Sequence, residues 1–160
     1  LVNKTIALGL FSFQQPKTLF TEAEKTAIVD AIREEERRTS GEIRVYVESK
    51  CKYVDPVDRA QEVFFHLEME QTEHRNGVLI YIAHRHRQLA IFGDEGIFNA
   101  LGKAYWDQEV QLMLKAFNAH HFADGIITII RDIGKALHEK FPYERTTDKN
   151  ELPDDIVFGH

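Results

Sequence analysis

The chain has one cysteine, Cys51, with four prolines and nine glycines among 160 residues. A single cysteine excludes an internal disulfide framework, and a reducing compartment is its simplest setting. No apolar run approaches the roughly 20 residues that span a bilayer. An excess of positive charge is missing too. Lys and Arg number 20 against 26 Asp and Glu, a net charge of −6, which argues against a nucleic-acid partner. There is no P-loop, dinucleotide fingerprint, Gly-x-Ser-x-Gly elbow or EF-hand. Cys51 and Arg59 are too widely spaced for a cysteine-phosphatase loop. The histidines at 84, 86, 120 and 121 lack zinc-ligand spacing and read as loop residues.

What remains is an ordinary globular composition, 43% hydrophobic and 29% charged. It is one domain's worth of chain, long enough to bury a core without staples. Residues 1–19 read as a leader, disordered or left over from expression. Ile6 to Phe13 faintly resembles a signal-peptide core, but no clear small-residue cleavage site follows. Residues 20–142 form the domain and 143–160 a polar tail, in which Leu152-Pro153 and Ile156 to Phe158 can dock on the surface. The expected location is cytoplasmic, with a truncated targeting segment left open.

Thr21 to Glu24 is a capping box opening a helix that carries Ala27, Ile28, Ala31 and Ile32 inward. Ser40-Gly41 supplies its stop, and the charged run Arg33 to Arg38 reads as a solvated face. Glu42 to Ser49 alternates as a strand. Asp55-Pro56 starts a second helix striped by Val57, Ala60, Phe64 and Leu67. Val78 to Ala83 is apolar throughout, a strand covered on both faces. His84 to Arg87 turns the chain back into Gln88 to Phe92, and Gly93-Asp94-Glu95-Gly96 closes the ribbon. A short turn over 97–101 and helices over 105–117 and 122–139 follow. Strand, helix, strand is a right-handed crossover, so the first two strands run parallel. These elements predict an α/β fold, a three-layer α/β/α sandwich with a small mixed sheet.

That topology gathers acids. The first two strands start, and the third ends, at the same edge of the sheet, so Glu42, Asn76, Asp94 and Glu95 crowd together. Asp124, in the first turn of the last helix, can reach the same edge. Crowded carboxylates must raise a pKa, find a basic partner such as Arg44 or Arg75, or take a cation. A hard ion such as Ca²⁺ accepts six to eight oxygens. Alternatively, Asp94 and Glu95 cap the next helix and Glu42 pairs with an arginine.

Thr39-Ser-Gly-Glu-Ile43, Arg75-Asn-Gly-Val-Leu79, Gly93-Asp-Glu-Gly96 and Phe122-Ala-Asp-Gly-Ile126, in that order, resemble the TPM-domain family over roughly Phe20 to Phe141. Asn150 to Gly159 is similar to the short, stand-alone bacterial members. The resemblance implies an α/β/α sandwich and divalent-metal binding, often calcium, with Glu42, Asp94, Glu95 and Asp124 as the matching acids. The chain departs from longer members in having His120-His-Phe-Ala-Asp124 where they carry Gly-Asp-Tyr-Asp, one acid fewer. The expected function is a calcium-binding interaction or regulatory module with a protein partner, a membrane-associated one included. The alternative is a metal-dependent acid phosphatase, an activity attributed to some plant members.

Overall fold

A strand apolar at every position can be buried only if both faces of its sheet are covered. The computed structural model describes residues 9–10, 19–143 and 155–159. It places this strand in the middle of a five-stranded sheet ordered β1-β4-β3-β2-β5. The strands are β1 (Gly9–Leu10), β2 (Glu42–Glu48), β3 (Gly77–Ala83), β4 (Gln88–Gly93) and β5 (Val157–Phe158). The helices are α1 (Glu22–Glu36), α2 (Pro56–His66), α3 (Glu95–Leu101), α4 (Lys103–Asn118) and α5 (Phe122–Lys140). Every residue of β3 is buried.

β2 and β3 are parallel, with Glu42 opposite Gly77, and β3 and β4 antiparallel, with Val78 opposite Gly93. β5 runs parallel to β2, and β1 antiparallel to β4. Among the described strands, β4 alone opposes the common direction, as a crossover followed by a hairpin requires. Alternation then sorts the side chains. Ile43, Val45, Val78, Ile80, Leu89 and Ile91 face a core shared with α1, α3, α4 and α5. Tyr46, Leu79, Tyr81, Ala90 and Phe92 face α2. Burying each large apolar side chain contributes about 1.5–3 kcal/mol. The architecture is the expected three-layer α/β/α sandwich.

Four details differ from the sequence reading. α1 stops at Glu36, with Arg37 as its cap, rather than at Ser40-Gly41. The chain leaves the helix early because Thr39 bridges to Pro142 and the Ser40 N–H donates to the Phe141 carbonyl at 3.0 Å. The charged run at its end is not wholly solvated either. Glu35 is buried and paired with Arg38, and Glu36 Oε1 accepts the Ile43 N–H at 2.7 Å. Gly134 of α5 makes the close approach feasible, since a Cβ there would lie 2.6 Å from that of Glu35. Two short sheet-edge segments complete the differences. Val157–Phe158 of the tail is an edge strand rather than a surface attachment, and Gly9–Leu10 of the leader pairs with β4. Leu152-Pro153, and Ile6 to Phe13 apart from Gly9–Leu10, lie outside the described residues.

Candidate functional site at the sheet rim

Register places the start of β2 and the end of β4 on either side of Gly77. The Glu42 N–H donates to the Asn76 carbonyl at 3.4 Å, and the Asp94 N–H to the Gly77 carbonyl at 2.9 Å. Glu42 and Asp94 therefore share the rim of the sheet, both buried at 3% exposure. The loop entering β3 is held beneath them. Arg75 adopts φ 51°, and its carbonyl accepts the Gly96 N–H at 2.9 Å. Gly96 must be glycine for this contact, because a Cβ would meet the His74 carbonyl oxygen at 2.2 Å.

Asp94 and Glu95 share a counter-ion. Arg75 Nε and Nη2 donate to Asp94 at 2.7 and 2.9 Å, and Nη1 lies 3.5 Å from Glu95. Asp94 Oδ1 also caps α3 by accepting the Glu95 N–H at 2.8 Å. The hydrogen bonds to Asp94 push the Arg75 guanidinium above its ordinary pKa, against the opposing effect of desolvation. Glu95 points into solvent, at 55% side-chain exposure. Between Glu42 and this pair lies Asn76, fully buried. Its Nδ2 donates to Ser40 Oγ at 3.2 Å, while its Oδ1 has no hydrogen-bond partner among the described residues. A buried amide oxygen left unsatisfied costs about 1–3 kcal/mol, so this rim atom calls for a donor or a cation.

Asp124 does not join them. The C-terminal end of α5 is the end at the rim, where Leu137 packs against Gly41 and the Phe141 carbonyl accepts from Ser40. At 1.5 Å per residue, Asp124 lies about 20 Å away along the helix. There it lines a small cleft with Leu112, Ala116, His121 and Thr128. Among the described residues no three His, Cys, Asp or Glu side chains are grouped to hold a metal ion. The four-acid set implied by the resemblance thus does not fit as a set. Glu42, Asp94 and Glu95 share the rim with Asn76 Oδ1 and are hard oxygen donors, the type that calcium takes, but are not gathered around one point.

A TPM-domain model matches residues 14–136. The chain belongs to the TPM-domain family. It is similar to the BA42 protein of the psychrophilic bacterium Bizionia argentinensis, with 39% identity and a TM-score of 0.82 over 91% of this chain and 99% of that one. The N-terminal domain of cg2496 from Corynebacterium glutamicum shares the fold at 16% identity and a TM-score of 0.55, over 81% of this chain and 88% of that one. No protein of curated function matches. Membership fixes family and fold and carries no reaction with it.

The opposite end of this TPM domain holds a network that sequence reasoning passed over. Arg59 Nε and Nη2 clamp Glu48 at 2.8 and 2.9 Å, its Nη1 reaches Glu62 at 2.6 Å, and the Tyr81 hydroxyl donates to Glu48. Burial by itself would raise the pKa of Glu48, but the hydrogen bonds from Arg59 and Tyr81 outweigh it and hold the carboxyl below its ordinary value. The signal was available. Arg59 sits in the buried stripe of α2 between Val57 and Val63, where an arginine needs a carboxylate. Nearby, His86 of the hairpin turn is structural as well as exposed, since its Nδ1 accepts the Cys51 N–H at 3.0 Å. No helix among the described residues is long and apolar enough to cross a membrane.

Proposed function

We propose that this TPM domain is an interaction or regulatory module whose rim takes a divalent cation, calcium foremost, in competition with Arg75. The observation that supports the reading is the Oδ1 of fully buried Asn76, without a hydrogen-bond partner among the described residues and beside Asp94 and Glu95, which a guanidinium already pairs. Glu42, Asp94, Glu95 and Asn76 would close around the ion on binding, since no three acids are grouped there beforehand among the described residues, and Asp124 would not take part. The half-exposed Arg75 side chain, at 39% exposure, can withdraw to solvent. An ion in its place would fix the Gly93–Gly96 loop, on which a protein partner would dock. The acid-phosphatase alternative gains nothing from the geometry, because Arg75 is committed to Asp94 rather than presented to a phosphoryl group.

Calcium titration followed by residue-resolved NMR tests this. Amide shifts should move at Glu42, Asn76, Asp94 and Glu95 and stay still at Asp124, and the melting temperature should rise by linkage. Arg75→Gln removes the competing charge. A unit charge at about 4 Å is worth roughly 1–4 kcal/mol between bulk water and a protein surface, so affinity should rise about tenfold or more. Identical melting curves with calcium and with chelator, for both proteins, would remove the metal from the reading.

A further inference from the structure

α4 and α5 form an antiparallel hairpin whose register is set by one close contact. A Cβ at Gly125 would lie 2.6 Å from the Cβ of Ala116. Counting turns down both helices from that rung puts Met113 beside Thr128 and Ile129, and Glu109 beside Asp132. Two acids thus come together across the seam, with Asp132 acting on the Glu109 carboxyl. Glu109 is 5% exposed. Its Oε2, the Tyr105 hydroxyl and Trp106 Nε1 are buried with no hydrogen-bond partner among the described residues.

Buried Glu109 beside half-buried Asp132 favours a proton on one of the two, since like charges at close quarters disfavour a second carboxylate. Among the described residues no base is paired with Glu109; Lys135, one turn beyond Asp132 on α5, is exposed. Tyr105 of α4 and Glu139 of α5 face the same region and bring no positive charge. Lys103 is paired with Asp107 at 2.6 Å, and Arg131 with Glu34 at 3.1 Å. Of the other elements against α4, β1 and β4 carry no titratable residue, and the one acid of α3, Glu95, is paired with Arg75. Burial first, and Asp132 second, push the Glu109 carboxyl up to about 8.

We propose that Glu109 and Asp132 form a proton-closed latch on the α4–α5 seam. One shared proton holds the two helices together. Its loss to solvent leaves two facing carboxylates, which separate the helices by repulsion and by drawing in water. The seam leads, two turns along, into the cleft of about 230 Å³ lined by Leu112, Ala116, Asp124 and Thr128. Opening the latch therefore widens a groove at the hairpin end of the domain, remote from the calcium rim and independent of it.

Carboxyl-detected NMR of the full chain from pH 5 to 10, with amide hydrogen exchange on the same samples, tests the latch. The Glu109 carboxyl carbon should titrate on the alkaline side of neutrality. Between the ordinary carboxylate range and that inflection, protection factors on α4 and α5 near the pair should fall by up to about tenfold per pH unit, the linkage limit for one proton, and level off above it. Glu109→Gln, which keeps a hydrogen-bond donor to Asp132, should abolish the fall. In Asp132→Asn the Glu109 titration should move back toward the ordinary carboxylate range. A wild-type Glu109 that titrates with ordinary carboxylates, or a seam whose protection does not fall as pH rises toward the Glu109 inflection, would overturn the proposal whether or not either variant folds.

Discussion

Arg59 shows what a single side chain can decide. It is 8% exposed on the apolar stripe of α2 and is stable there because Glu48 and Glu62 take all three of its nitrogens. Removing one partner of a buried pair strands the other, at a cost of about 3–5 kcal/mol. Arg59→Met should fall at the lower end, about 3 kcal/mol, because Tyr81 still donates to Glu48. Urea unfolding measures it, and the double variant Glu48→Gln with Arg59→Met should recover most of the loss. This pair was legible in the sequence as a charge where helical spacing asks for a hydrophobe. The orphaned Oδ1 of Asn76 was not, because nothing in an Asn-Gly dipeptide says which of its amide atoms will lack a partner.

At the scale of elements, local signals served well wherever a helix start or a hairpin was involved. The Thr21 capping box and the Asp55-Pro56 start both form as the spacing requires, with the Asp55 side chain accepting the Val57 N–H at 2.9 Å. Ends and edges were harder, because they are chosen by distant chain. The exit of α1 answers to Phe141 and Pro142 about a hundred residues later. β5 is two residues long and has no recognisable strand pattern; it exists because β2 offers an edge, and the Gly159 N–H donates to the Val47 carbonyl at 2.7 Å. Truncation after Tyr143 should therefore leave the domain folded with β2 as a bare edge. Hydrogen exchange should show lost protection in β2 beside Tyr46 and Val47, and the unpaired edge should promote association visible by sedimentation. A truncated chain that stays monomeric, with β2 as protected as before, would assign β5 no covering role.

For the molecule as a whole, two buried acids set opposite limits on stability against pH. Glu48 is held below its ordinary value in the folded state, so its contribution is present above the unfolded value of 4.5 and is lost as pH falls through the folded one. Glu109 is held above its ordinary value, so its contribution is present below 4.5 and declines as pH rises through about 8. Melting temperature from pH 3 to 9 should therefore pass through a maximum between the two. Glu109→Gln should flatten the alkaline limb, and Tyr81→Phe should move the acid limb upward in pH. The sequence by itself determined the fold class, the parallel pairing of β2 with β3, and the meeting of Glu42 with Asp94. Each of these follows from strand periodicity and the handedness of a crossover, which are properties of the local chain. Only the tertiary structure decided that Arg75 neutralises the rim, that Asp124 lies a helix-length away, and that Glu109 faces Asp132. Those depend on which end of a helix meets which end of the sheet, and on the register between helices, which packing sets and spacing along the chain does not.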